Sequence, residues 1–140
     1  MVNQLEKIQE EFKYSLFSDS IGLELSEVCE GHIKITLPYR KSFENMQETI
    51  HGGIYATILD TTMGLTCRTL GYDAAITIHM SIQFIRPVRE EAIYCTASVI
   101  SANSKTMLVE GRLFDQKDNL VAHSTGTFRV IKDKSAHDTN

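Results

Sequence analysis

The 140-residue sequence predicts an α+β fold in which a long central helix packs against an antiparallel β-sheet and a shorter helix precedes both. Three observations carry this. Residues 48–71, "ETIHGGIYATILDTTMGLTCRTLG", hold a double glycine and then an apolar, threonine-rich run whose only charges are Asp60 and Arg68. After Gly71 come four runs rich in β-branched and aromatic residues. Before the double glycine, Leu5, Ile8, Phe12 and Leu16 recur at three- and four-residue steps between Glu and Lys, the mark of an amphipathic helix.

Taken in order, the opening helix gives way to "IGLELSEVCE" and "GHIKITLP", which alternate apolar and polar residues around Glu30-Gly31 and read as a hairpin closed by Pro38. Residues 39–50 show neither the helical nor the strand period and are expected to form a loop. The central segment is long enough for about five helical turns, with Gly71 where a C-terminal cap belongs. Four long strands follow, interrupted at Pro87 to Glu91, Ala102 to Lys105 and Asp115 to Asn119. Breaks this short favour an antiparallel meander, with room for one crossover. Residues 1–132 are expected to form one domain and the polar residues 133–140 a disordered tail.

Composition narrows the function. Apolar residues make up 42% and charged residues 23%, ordinary values for a globular chain. A formal net charge of −4 argues against a nucleic-acid partner, since phosphate neutralisation requires a basic surface. Cys29, Cys67 and Cys95 form no CxxC pair, so neither a disulfide framework nor a structural metal site is expected. The N-terminus lacks the apolar core of a signal peptide, and no stretch reaches about 18 consecutive apolar residues. The expectation is a cytoplasmic protein that neither enters nor crosses a membrane. The chain also lacks a G-x-S-x-G elbow, a Walker loop, a G-x-G-x-x-G fingerprint and H-E-x-x-H.

Placed at 100° per residue, Ile54, Tyr55, Ile58, Leu59 and Leu65 occupy an arc of about 140°, widened by Ala56, Met63 and Cys67, which predicts the sheet-facing side. Thr57, Asp60, Thr61, Gly64 and Arg68 share the opposite flank. That flank is polar but nearly uncharged, which suits a helix packed against a second surface. Asp60 has no basic residue three or four positions away. A buried unpaired carboxylate costs several kcal/mol or raises its pKa, so Asp60 either serves chemistry or is capped, hydrated or paired with a residue distant in sequence. "IHGG" supplies two glycines at a helix start, where the first N–H groups lack intrahelical partners and can meet a developing negative charge. The same glycines also serve a simple turn.

The spacing of Asn45, His51-Gly52-Gly53, Asp60 and Gly64, followed by a long strand ending Ile85-Arg86-Pro87, resembles the hotdog-fold thioesterases, specifically the PaaI-like branch that hydrolyses acyl-CoA esters. The likeness runs from about Ser20 to Ile131. It implies a helix wrapped by a sheet, a homodimer joined edge to edge with its active sites between subunits, and a possible homotetramer built as a dimer of dimers. By the same resemblance Asp60 matches the catalytic carboxylate, acting as general base or nucleophile, and Gly52 the backbone donor to the thioester carbonyl. Asn45 matches a residue that positions water or thioester, and His51 one that orients the loop and helix start. Thr77 matches a hydroxyl residue facing the carboxylate across the dimer. Gly53 and Gly64 fall on the substrate side.

An acyl-CoA partner brings phosphates, for which Arg86, Arg89 and Lys105, at strand ends, are the candidates. No cofactor is implied, because coenzyme A is part of the substrate. Two other readings stay open. A hotdog hydratase would use Asp118 and His123, which leaves Asp60 without a role. A non-catalytic binder or sensor of acyl-CoA would be expected to lose the acid that this chain keeps.

Overall fold

Six strands form one wholly antiparallel sheet, and one long helix packs on one face of it. The computed structural model describes residues 3–132. Its elements are α1 (Gln4–Lys13), α2 (Leu16–Ile21), β1 (Glu24–Cys29), β2 (His32–Leu37), a 3-10 turn (Lys41–Phe43), α3 (Gly52–Arg68), β3 (Ala74–Phe84), β4 (Ile93–Ala102), β5 (Thr106–Phe114) and β6 (Leu120–Ile131). The strands lie in the order β1-β2-β4-β5-β6-β3 with α3 against them, which is the hotdog architecture. The tail expected at 133–140 lies outside the described residues.

Each element has a local cause, and some differ from the pattern-based expectation. Ser15 accepts a hydrogen bond from the Ser18 N–H and starts a second helix, so the opening helix divides into α1 and α2. Ile8 is fully buried, whereas Leu16 is 87% exposed and leaves the predicted apolar stripe. The β1–β2 hairpin turns at Gly31, whose φ of 80° favours glycine. The 39–50 loop contains the short 3-10 turn and a single bridge between Glu44 and Ile50.

The meander holds only for β4, β5 and β6. β3 lies at the far edge beside β6, and the Pro87 to Glu91 connection crosses the sheet to place β4 next to β2. Paired with β6 at that edge, β3 also packs against α3. β3 also carries a bulge, a register shift between Thr77 and His79. Its strict apolar alternation conceals this shift. Beyond the bulge Met80 and Ile82 pack on the core, while Ile76 and Ile78 remain 50% and 58% exposed on the edge.

Tyr55, Ile58, Leu59, Met63 and Cys67 are buried against the sheet, as their phase predicts, but Ile54 and Leu65 are only partly covered. Thr62 and Thr66 are fully buried in their place. Their hydroxyls donate to the carbonyls of Ile58 and Thr62, each at 2.7 Å, so no polar atom is stranded. Beneath the helix, a Cβ on Gly111 would come within 3.1 Å of Leu59 and Met63. Glycine in β5 is what lets α3 lie this close to the sheet.

Candidate active site

α3 begins at Gly52, with His51 as its N-cap in an extended conformation. The His51 imidazole Nδ1 accepts the Gly53 N–H at 2.7 Å, which leaves the ring proton on Nε2. One of the two glycine amides is thereby occupied. The Gly52 N–H has no hydrogen-bond partner among the described residues. It adjoins a cleft of about 310 Å³ lined by Ile50, Gly52, Tyr55, Phe84, Ile85, Arg86 and Pro87. A Cβ on Gly52 would stand 3.1 Å from the Phe84 ring, so a side chain here would crowd the cleft.

The Phe84 ring stacks on Tyr55, with centroids 6.2 Å apart and planes 19° apart. Tyr55 donates its hydroxyl to the Arg86 carbonyl at 2.9 Å. Burial, followed by the charges of Asp115 and Glu91, pushes its phenol up to about 12, so it stays a proton donor.

Asp60 sits half-buried two turns further along α3, and the Thr77 hydroxyl donates to its Oδ1 at 2.6 Å. Both residues belong to one chain, so the hydroxyl meets the carboxylate without a second subunit. The β3 bulge follows Thr77 directly and lets both Thr77 and Phe84 face α3 despite their odd separation. Arg68, the other charge on the helix, is held by Glu11 of α1 at 2.5 Å. Gly64 lies on the same flank as Asp60, and a Cβ there would meet Phe128 at an ordinary 3.6 Å.

The remaining candidates divide. The Asn45 Oδ1 accepts from the Gln47 N–H, the Thr49 N–H and the Thr49 hydroxyl, so its side chain closes its own loop. Asn45 and His51 nevertheless share a second cleft of about 500 Å³ with Glu44, Met46 and Gln47. Arg86 lines the Gly52 cleft, whereas Arg89 donates to the Gln47 and Glu48 carbonyls at 3.1 and 3.3 Å and ties that loop down. Lys105 lies in the β4–β5 turn, at the end of the sheet where β3 starts and β6 ends, away from Gly52. Within one chain it is not brought near Arg86. Sequence reasoning missed Tyr55 and Phe84 as cleft walls. Phe84, next to Ile85-Arg86-Pro87, was the one available signal.

No group of three or more potential metal ligands occurs among the described residues, and no helix of theirs is long and apolar enough to cross a membrane. A helix start with an unpartnered N–H at a cleft, and a hydrogen-bonded carboxylate on the same helix, is equipped for acyl transfer to water. The thioesterase superfamily model matches residues 47–122, a segment that contains both groups. The chain belongs to the thioesterase superfamily. A medium/long-chain acyl-CoA thioesterase of Escherichia coli, YigI, is 24% identical over 90% of this chain and 93% of its own length. Among solved structures, a conserved protein of Pseudomonas aeruginosa is 32% identical over 86% of this chain and 98% of that one, with a TM-score of 0.81. The E. coli PaaI protein from the phenylacetic acid degradation operon shares the fold at a TM-score of 0.84 and 21% identity, over 92% of this chain and 96% of that one. This thioesterase is accordingly a thioester hydrolase of hotdog fold.

Proposed function

We propose that the chain hydrolyses acyl-CoA thioesters, of aromatic or short-to-medium acyl groups, to the free acid and CoA. In this reading the Gly52 N–H polarises the thioester carbonyl, and Asp60 either takes a proton from the attacking water or attacks the carbonyl itself. The unpartnered Gly52 N–H beside a cleft walled by Ile50, Tyr55, Phe84 and Arg86 carries the proposal. Attack on the carbonyl carbon moves an electron pair onto its oxygen, and a fixed amide already aimed there stabilises the oxyanion without reorganising; removing such a donor typically costs about 3 kcal/mol. Collapse of the oxyanion breaks the C–S bond, and the departing thiolate takes its proton from Asp60 or from water; where Asp60 itself attacked, water then hydrolyses the mixed anhydride to the free acid. Thr77 keeps one oxygen of Asp60 in place, leaving the other for water or substrate. The name of the E. coli relative supports CoA esters as the substrate class.

Eight residues of α-helix separate Gly52 from Asp60, a rise of about 12 Å. One carbonyl cannot touch both in a single chain, so the site is completed by a second copy, the Gly52 of one facing the Asp60 of the other. The exposed Ile76 and Ile78 on the free edge of β3 favour a homodimer joined there, and a homotetramer remains open to it. Of the basic candidates, Arg86 alone lines the Gly52 cleft.

Release of free thiol from a panel of acyl-CoA esters, from acetyl to long-chain and including phenylacetyl, tests this reading. Asp60→Asn should lower turnover about a thousandfold while leaving the melting temperature in place. Wild-type turnover in that variant would remove Asp60 from the mechanism. Binding of CoA esters without cleavage would favour a sensor.

A further inference from the structure

β3 ends at Phe84, whose side chain is 58% exposed although phenyl rings usually bury most of their surface. The ring does not float. It rests on Tyr55, which is itself buried and fixed by the hydrogen bond from its hydroxyl to the Arg86 carbonyl. Its edge passes 3.1 Å from the place a Gly52 Cβ would take. The ring therefore stands next to the one unpartnered amide at the start of α3, where one of the two groups flanking a carbonyl bound there would lie against it.

A thioester carbonyl has two neighbours. The sulfur side is the same in every CoA ester and leads to an arm with two amides, which need hydrogen-bond partners when desolvated. The wall made by Tyr55 and Phe84 offers ring surface to its neighbour and spends its one hydroxyl on Arg86. An acyl carbon needs no such partner. Resting on the thioesterase reading above, we propose that Phe84 determines specificity at the acyl carbon next to the carbonyl: its ring admits an unbranched carbon there and excludes a branched one. Because the ring lies beside the carbonyl donor, its control acts on branching next to the carbonyl and not on the length of the chain beyond.

The test compares butyryl-CoA, its branched isomer isobutyryl-CoA and hexanoyl-CoA in the wild type and in Phe84→Ala. Affinities of the matching non-hydrolysable analogues, with the thioester sulfur replaced by CH₂, are measured in parallel. Wild type should favour butyryl over isobutyryl, and Phe84→Ala should raise the isobutyryl-to-butyryl ratio of kcat/KM about tenfold while the hexanoyl-to-butyryl ratio moves less than about twofold. An unchanged branching ratio overturns the proposal, as does an equal fall for all three esters, which would place the ring beside the sulfur. Phe84→Leu keeps an apolar side chain, serves if the alanine variant does not fold, and should move the ratio the same way. If wild type cleaves no ester, the thioesterase reading fails by itself, and the analogue affinities still decide the role of Phe84.

Discussion

The two ends of α3 face the same physical problem and resolve it differently. A helix leaves its first N–H groups and last carbonyls without internal partners. At the C-terminal end these needs are met. The Gln4 amide donates to the Arg68 and Tyr72 carbonyls at 2.8 Å each, Glu11 holds the Arg68 guanidinium, and Thr69 accepts the Gly31 N–H at 2.9 Å. Gly71, at a φ of 104°, closes the helix by donating to the Arg68 carbonyl. At the N-terminal end His51 satisfies Gly53 and leaves Gly52 open to a cleft. The contrast separates tasks: α1 and the hairpin secure one end of the helix, and the other keeps a donor free, in the proposed mechanism for a substrate carbonyl.

Variants at the two ends should therefore fail in different assays. Gly52→Pro removes the single donor N–H at the first helical position, where proline is favoured, and His51 already has the extended backbone (φ −59°, ψ 138°) that a following proline requires. Because proline also places a Cβ 3.1 Å from Phe84, the reference is Gly52→Ala, which adds that Cβ and keeps the N–H. Turnover of the proline variant should fall about a hundredfold or more below it at similar stability, and equal turnover in the two would assign the loss to crowding. Thr77→Val removes the hydroxyl that holds Asp60, and kcat should drop about tenfold at an unchanged melting temperature. Gln4→Ala removes one of two donors from each of two carbonyls at the far end, leaving the Gly71 N–H on Arg68 and the Arg68 guanidinium on Tyr72. It should cost about 1 kcal/mol in denaturant unfolding, with kcat per folded molecule unaffected. A loss of kcat in Gln4→Ala would mean that the two ends are coupled.

Much of this was legible in sequence because local pattern decided it. The central helix, the hairpin at Gly31 and the long strands follow from periodicity and turn residues, and the HGG-to-Asp60 spacing pointed to the family that the superfamily match then established. Strand order was not legible, because the Pro87 to Glu91 break that crosses the sheet is as short as the breaks that make hairpins. The β3 bulge left no trace in an unbroken apolar alternation. Thr62 and Thr66 counted as polar by composition, yet bonding back along the helix lets them be buried. At the site, Asp60 and Gly52 stood out as chemically unmet groups. Arg86, Arg89 and Lys105 looked alike as strand-end cations, and only the packing of the loops assigns Arg89 to the Gln47 and Glu48 carbonyls and Lys105 to the opposite end.

In the proposed site the open amide at the start of one α3 works with the carboxylate in the middle of another. Mixing Asp60→Asn with Gly52→Pro subunits through unfolding and refolding tests it directly. A hybrid dimer then holds one doubly defective site and one intact site, so random pairing of two inactive variants should recover about a quarter of wild-type turnover. Hybrids that form but stay as inactive as their parents would contradict the shared site.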